Sequence, residues 1–293
     1  MIKGSIVALI TPMDEEGKVD YSGLEKLIDF HLEEQTDGLL VLGTTGESPT
    51  LTEEEEEKIL QLTVEKTQGR LPVIAGAGTN NTKETIRKAQ RFAELGADAL
   101  LVITPYYNKT SDNGLLAHFT AIADSVTIPV VLYNVPARTG MTIPIPVLEK
   151  LARHPMIQGI KEASGEMAYV MEVARLVDSS FALYSGNDEL IVPILSVGGS
   201  GVISVWANIQ PKLVHELVQD FSEGRIFEAR EKQLAALPLI QALFSETNPI
   251  PVKAAMKIAD MPSGPLRLPL VSLSEEKLAQ LTQVLLNEGG VNK

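Results

Sequence analysis

The chain reads as an α/β protein, a (β/α)8 barrel (TIM barrel) followed by a C-terminal helical extension. Three observations predict this. Eight short β-rich runs recur along the 293 residues, amphipathic helical stretches lie between them, and the runs are apolar almost throughout. Strand–helix alternation repeated eight times is the pattern of a closed parallel barrel. Strands covered on both faces also lose the polar/apolar alternation of a half-exposed sheet. An open doubly wound sheet is the alternative, and the count of eight favours closure.

Strands are expected at residues 5–10, 38–42, 72–77, 99–104, 129–134, 157–163, 181–185 and 201–205. Residues 21–34 place Leu24, Leu27, Ile28 and Leu32 on one helical face. Residues 52–67 open with Thr52 and Glu55 in capping-box spacing, and residues 82–95 carry Ile86, Ala89 and Ala93 on one side. The acidic run Glu53–Glu57 follows that N-cap, where carboxylates favour the helix dipole, and reads as a solvated first turn. Residues 211–222 make the eighth barrel helix. Residues 225–244, a turn at Asn248-Pro249-Ile250-Pro251, and residues 252–259 and 274–287 make the extension. The expected organisation is a barrel domain over residues 1–224 and a helical domain over 225–293.

Composition narrows the function classes. Apolar residues are 44% of the chain and charged residues 22%, the profile of a globular protein. With 25 Lys plus Arg against 38 Asp plus Glu, the formal charge is −13. No basic stripe is present to displace phosphate counterions, which argues against nucleic acid as a partner. Anionic substrates must then be captured by local donors and not by the global field. No apolar run approaches the ~20 residues of a membrane span, so no membrane partner is expected. Cysteine is absent, which removes thiolate catalysis. Met1-Ile2-Lys3-Gly4 leads into the first strand without a signal-peptide pattern, and the cytoplasm is the expected compartment.

The chemistry centres on Lys161, inside the run Met156-Ile157-Gln158-Gly159-Ile160-Lys161-Glu162-Ala163-Ser164. A free lysine amine, with pKa near ~10.4, is a poor nucleophile at neutral pH. Burial lowers that value and exposes a lone pair able to condense with a carbonyl. The alternative is a lysine whose stem packs on the strand while its ammonium reaches water. What favours the imine is company on the C-terminal rim of the strands, where barrels of this kind carry their reacting groups. Thr44 and Thr45 follow the second strand, Tyr106 and Tyr107 the fourth, and Tyr133 ends the fifth with Arg138 in the next loop. Gly186-Asn187-Asp188 follow the seventh strand, and Ile203 in the eighth forms a wall.

Each of these types has a use. Tyr133 can move protons to and from an imine, helped by a hydroxyl such as Thr44. Thr45 and the N–H groups of Gly43-Thr44-Thr45-Gly46-Glu47-Ser48 suit a carboxylate, and Arg138 can clamp a second one in a bidentate manner. Glu47 reads as a scaffold acceptor for loop N–H groups. Gly198-Gly199-Ser200-Gly201 precedes the eighth strand, on the opposite face, and reads as a tight helix-to-strand turn and not a phosphate cradle. His31, His118, His154 and His215 are isolated, so neither a metal nor another cofactor is expected.

The segments Gly43–Ser48, Thr104-Pro105-Tyr106-Tyr107-Asn108-Lys109, Tyr133-Asn134-Val135-Pro136-Ala137-Arg138-Thr139-Gly140 and Gly159–Gly165 together resemble the 4-hydroxy-tetrahydrodipicolinate synthase family, within the pyruvate-dependent lyases and aldolases. Glu246–Lys253 and Leu266-Arg267-Leu268-Pro269-Leu270 also match, so the resemblance spans essentially the whole chain. It implies condensation of pyruvate with L-aspartate 4-semialdehyde on the diaminopimelate route to lysine. Lys161 would carry the Schiff base, and Tyr133, Thr44 and a Tyr107 from a neighbouring subunit would relay protons. Thr45, Gly186 and Ile203 would line the pyruvate site, and Arg138 would hold the semialdehyde carboxylate. The resemblance implies a homotetramer, a dimer of dimers. It also implies a possible allosteric lysine site at Ser48, Asn80, Glu84 and Tyr106. Glu53 and Glu56 stand there where inhibited relatives carry histidines, which points to weak or absent inhibition. Two alternatives remain: another pyruvate-imine enzyme, such as an N-acetylneuraminate lyase or a 2-keto-3-deoxy-sugar-acid aldolase, and a non-catalytic barrel that binds a keto acid.

Overall fold

The computed structural model describes residues 2–287. Eight parallel strands, β1 (Gly4–Ala8), β2 (Gly38–Val41), β3 (Val73–Gly76), β4 (Ala99–Ile103), β5 (Val130–Asn134), β6 (Ile157–Glu162), β7 (Ala182–Ser185) and β8 (Gly201–Ser204), pair in chain order, and β8 closes on β1. All eight expected strands are present, most trimmed by a residue or two. Pro72 and Pro129 fall just outside β3 and β5, because a proline has no N–H to give the ladder. Their carbonyls still accept, from Leu39 at 2.9 Å and Leu100 at 2.8 Å. Closure is tight: a Cβ on Gly201 would lie 2.0 Å from the Gly4 carbonyl oxygen, so only glycine fits at the β8–β1 seam.

Alternation divides the strands into two faces. Ile6, Leu40, Ile74, Leu101, Tyr133, Tyr184 and Ile203 fill the barrel interior, and residues such as Val7, Leu39, Val73, Leu100, Leu132 and Ile160 pack outward against the helices. The Tyr184 hydroxyl donates to the Ile2 carbonyl at 2.6 Å and so ties the N-terminal end of the barrel. The Gly198–Gly201 segment is the expected turn: the N–H groups of Gly198, Gly199 and Ser200 donate to Leu195, Ile194 and Leu183 carbonyls.

The helices are α1 (Tyr21–Glu33), α2 (Glu53–Thr67), α3 (Thr82–Glu94), α4 (Asp112–Asp124), α5 (Pro136–Thr139), α6 (Ile145–Leu151), α7 (Met167–Ala174), α8 (Ile191–Ser196) and α9 (Pro211–Ser222) around the barrel. Beyond them lie α10 (Ile226–Leu243), α11 (Ile250–Ile258) and α12 (Glu275–Asn287). The capping box is formed, with Thr52 accepting from the Glu55 N–H and Glu55 from the Thr52 N–H. The acidic run is the expected solvated turn only at its start, where Glu53 and Glu54 are exposed, and most of its carboxylates are engaged. Glu53 pairs with Arg87, Glu56 with Lys88 at 2.7 Å, Glu57 with Arg91 at 2.7 Å and Glu55 with Arg267 at 2.6 Å. The reason is tertiary. Helix α3 presents Arg87, Lys88 and Arg91 along the flank of α2, a juxtaposition that local spacing on α2 does not record.

Helix α11 starts two residues earlier than expected, at Ile250, because a proline in a first helical turn lacks only a donor that would be unpaired there. Residues of α10–α12, among them Leu239, Leu243, Met256, Leu281 and Leu285, join the same buried core as the barrel helices. Residues 288–293, the end of the expected helical domain, lie outside the described residues, as does Met1.

A buried ion pair fastens this extension to the rim. Lys253 Nζ on α11 meets Glu47 Oε1 at 2.8 Å and also donates to the Thr11 and Pro265 carbonyls. The Arg267 N–H donates to Glu47 Oε2 at 3.0 Å. Glu47 is therefore an acceptor, as expected, but for groups of the extension and not for the N–H groups of its own loop.

Candidate active site

Lys161 sits on β6 with its side chain inside the barrel, in register with Tyr133 on β5 and Tyr184 on β7. It is 5% exposed, and its Nζ stands 4.6 Å from the centroid of the Tyr133 ring. Burial pulls its amine down to about 8; the negative charge of Asp188 opposes that fall, and the Arg138 guanidinium adds to it. The contrast with Lys253 is instructive. Both lysines are buried, but Lys253 has a carboxylate at 2.8 Å and Lys161 has no such pair among the described residues. An amine that gives up its proton near pH 8, on an apolar wall, frees its lone pair far more readily than an ordinary lysine.

Tyr133 closes one side of the same space. Burial raises its phenol pKa, while the Arg138 charge and the Thr44 hydroxyl pull it back down. Together with Thr44, Leu101 and Ile103, Tyr133 also lines a cavity of about 350 Å³ that runs outward past Ser48, Glu84 and Tyr106; Lys161 does not line it. Thr45 is buried, and its Oγ1 accepts from Asn248 Nδ2 at 3.0 Å. Arg138 lies on the single turn α5, and its Nη2 donates to the Asn248 carbonyl at 3.0 Å. That turn is held by Thr104, the residue after β4, whose hydroxyl donates to Thr139 at 3.0 Å. Ile203 faces into the barrel, buried beside Tyr133 and Tyr184. Gly186 follows β7, where an added Cβ would come within 2.6 Å of the Ala163 Cβ. The arrangement offers a nucleophilic amine, a proton carrier beside it, and two separate groups suited to carboxylates.

Residues 1–288 match the dihydrodipicolinate synthetase family. The chain belongs to that family. It is 50% identical over 290 residues to the 4-hydroxy-tetrahydrodipicolinate synthase of Thermoanaerobacter sp. (strain X514), covering 99% of this chain and 97% of that one. The dihydrodipicolinate synthase of Acinetobacter baumannii, solved in complex with pyruvate, superposes with a TM-score of 0.97 at 39% identity, covering 99% of this chain and all of the other. The enzyme of Cyanidioschyzon merolae, solved with lysine bound, gives a TM-score of 0.96 at 39% identity, with 99% of each chain covered.

Not every residue singled out in the sequence converges on Lys161. Tyr107 is 94% exposed and holds a left-handed backbone conformation with φ of 68°, so its ring points away from its own barrel. Asn80 enters only through its carbonyl, which accepts from Asn108 Nδ2 at 2.9 Å. Two buried acids matter more than the sequence suggested. Asp188 caps the chain after β8 through the N–H groups of Val205 and Trp206, and its other oxygen has no hydrogen-bond partner among the described residues. Glu162, facing outward next to Lys161, accepts from Asn134 Nδ2 at 2.7 Å and the Ser164 N–H at 2.6 Å. Burial raises the pKa of both. Asn248 enters the sequence reading as part of a turn and of the matching segment Glu246–Lys253, without a role of its own. Among the described residues no group of three or more His, Cys, Asp or Glu comes together to hold a metal ion.

The state of Lys161 has a measurable consequence. Its folded-state pKa of about 8 lies below the 10.5 of the free side chain. The cost of carrying a buried proton is therefore full below pH 8 and fades as pH rises from 8 to 10.5. Lys161→Met should be more stable than the parent at pH 7, by as much as about 3 kcal/mol, with the gap narrowing by pH 10. Urea denaturation at the two pH values checks this; equal gaps at both would show that the amine is not burdened by burial.

Proposed function

We propose that the chain condenses pyruvate with L-aspartate 4-semialdehyde, as a 4-hydroxy-tetrahydrodipicolinate synthase. The observation that carries the proposal is the buried Lys161 amine, without a carboxylate partner and 4.6 Å from the Tyr133 ring. In this reading the neutral amine adds to the keto carbon of pyruvate, and the carbonyl oxygen leaves as water after taking up two protons. Tyr133, with Thr44 beside it, delivers protons to that oxygen and then removes one from the methyl group of the imine. The resulting enamine attacks the aldehyde carbon of the second substrate. Thr45 holds the pyruvate carboxylate, Gly186 and Ile203 shape the pocket next to the lysine, and Arg138 holds the carboxylate of the semialdehyde. No cofactor takes part.

The proposal extends to assembly and setting. Tyr107 reaches the relay of a neighbouring subunit, in a homotetramer built as a dimer of dimers. Its near-complete exposure beside the rim supports this, because a tyrosine at a left-handed position in water gains nothing from its own chain. Light scattering that finds a fully active monomer would sink this part. The division into a catalytic barrel over 1–224 and a helical domain over 225–293, and a cytoplasmic location, belong to the same proposal.

Feedback by lysine at Ser48, Asn80, Glu84 and Tyr106 is weak or absent in this reading. The acids available to an incoming ammonium are already engaged. Glu56 accepts from Lys88 and from the Ser48 hydroxyl, and Glu84 is paired with Arg87 at 2.7 Å. An effector would have to displace an internal cation. Millimolar lysine is expected to leave the rate within about twofold, and strong inhibition at micromolar lysine would contradict it.

The decisive test is an assay coupled to dihydrodipicolinate reductase and NADPH. Lys161→Ala should abolish turnover, and Tyr133→Phe should lower kcat by about 10²–10⁴-fold. Borohydride should trap pyruvate on Lys161, at a rate that climbs as pH rises through about 8. Trapping without turnover would keep the imine but move the function to another aldehyde acceptor. No trapping at all would overturn the reading.

A further inference from the structure

Two rim elements far apart in sequence meet on one residue of the extension. Asn248, 6% exposed, donates from Nδ2 to Thr45 Oγ1 at 3.0 Å and accepts from Arg138 Nη2 on its backbone carbonyl at 3.0 Å. It therefore bridges the loop after β2 and the turn after β5, over separations of 203 and 110 residues.

The direction of the first bond decides what Thr45 can do. A hydroxyl has one proton and two lone pairs. With the amide donating to the oxygen, the threonine proton is not spent on Asn248, and no other acceptor for it is found among the described residues. The hydroxyl is left as a donor with a fixed tether, the form a carboxylate requires. The second bond uses one donor of the Arg138 fork and leaves the others to a ligand. Asn248 Oδ1 is buried with no partner, so packing alone does not favour an amide here.

We infer that Asn248 is a positioning residue: it sets the Thr45 hydroxyl as a donor to the keto-acid carboxylate and fixes the Arg138 guanidinium relative to it. This rests on the pyruvate-imine reading above and adds to it a residue that touches neither the amine nor the reacting carbons.

The test is the substitution Asn248→Asp. A carboxylate of nearly the same shape accepts instead of donating, turns the Thr45 proton toward itself and places a negative charge near the pyruvate carboxylate. The backbone carbonyl that holds Arg138 is unchanged. The pyruvate concentration for half-maximal borohydride trapping, and the pyruvate KM, should rise about tenfold or more, while the semialdehyde KM stays within about twofold. Asn248→Ala is the second variant, should the first not fold. Its defect should be several-fold, confined to pyruvate, and absent when added to Thr45→Val, because both changes remove one interaction. A merely structural residue would harm both substrates alike or act additively with Thr45→Val, and either result overturns the inference. So does an unchanged pyruvate half-saturation in a folded variant. The two readings separate cleanly. A parent enzyme that borohydride does not trap with pyruvate defeats the imine itself, and with it the role of Asn248. A trapped parent with an unaffected variant defeats only the role of Asn248.

Discussion

Closure of eight parallel strands is the constraint from which the rest follows. In a closed barrel each strand residue points either into the interior or out toward the helices, and the choice alternates along the strand. Position 161 falls on the inward set, in register with Tyr133 and Tyr184. A lysine there cannot send its ammonium sideways to a helix carboxylate. It must end near the open C-terminal mouth, among Tyr133 and Ile203, where burial brings its amine down to about 8. The lowered pKa of the group is thus a product of topology. The same residue one position along, where Glu162 stands, would face the helix layer.

A reactive group needs a rim that does not move, and loops above a barrel are its least supported parts. Here the support comes from outside the barrel. Lys253 pairs with Glu47, Arg267 binds Glu47 through its N–H and Glu55 through its guanidinium, and Asn248 joins Thr45 to Arg138. Glu47 sits in a left-handed conformation, φ 56°, just past the threonines of the loop. Removing two charges from water costs free energy that their attraction only partly returns, so a buried pair is a poor means of gaining stability. It is a good means of choosing one arrangement, since the loop in any other position leaves both charges buried and unpaired. The extension is in this sense part of the site without facing the reacting carbons.

What could be read in the sequence, and what could not, divides along the same line. Strands, caps and the Gly198–Gly201 turn are written in local pattern, and Lys161 stood out because a cation in an apolar strand contradicts its surroundings. The carboxylate run of α2 misled in part because its partners, Arg87, Lys88 and Arg91, lie about 34 residues on, and Arg267 much further. Lys253 and Asn248 are legible as members of a proline-punctuated segment that matches the family, but not by their partners. Their partners are 206 and 203 residues away, and no periodicity connects such positions. Residue patterning marks Tyr107 only as a polar residue on a rim; its outward turn, at φ 68°, fits the cross-subunit role that the family resemblance implies.

The two buried lysines show how one residue type takes opposite parts within the same protein. Burial lowers the pKa of both amines, which favours the neutral form. At Lys253 a carboxylate at 2.8 Å and two carbonyls oppose that fall, and the residue becomes a fastener. At Lys161 the nearest ring is an aromatic face, Asp188 acts only through space, and Arg138 works against the charge. Exchanging these surroundings would undo both functions: an ion-paired Lys161 would keep its proton and lose its lone pair, and an unpaired Lys253 would release the loop that carries Thr44 and Thr45. The fold keeps the unpaired amine and the ion-paired one apart by placing the first inside the barrel and the second behind its rim.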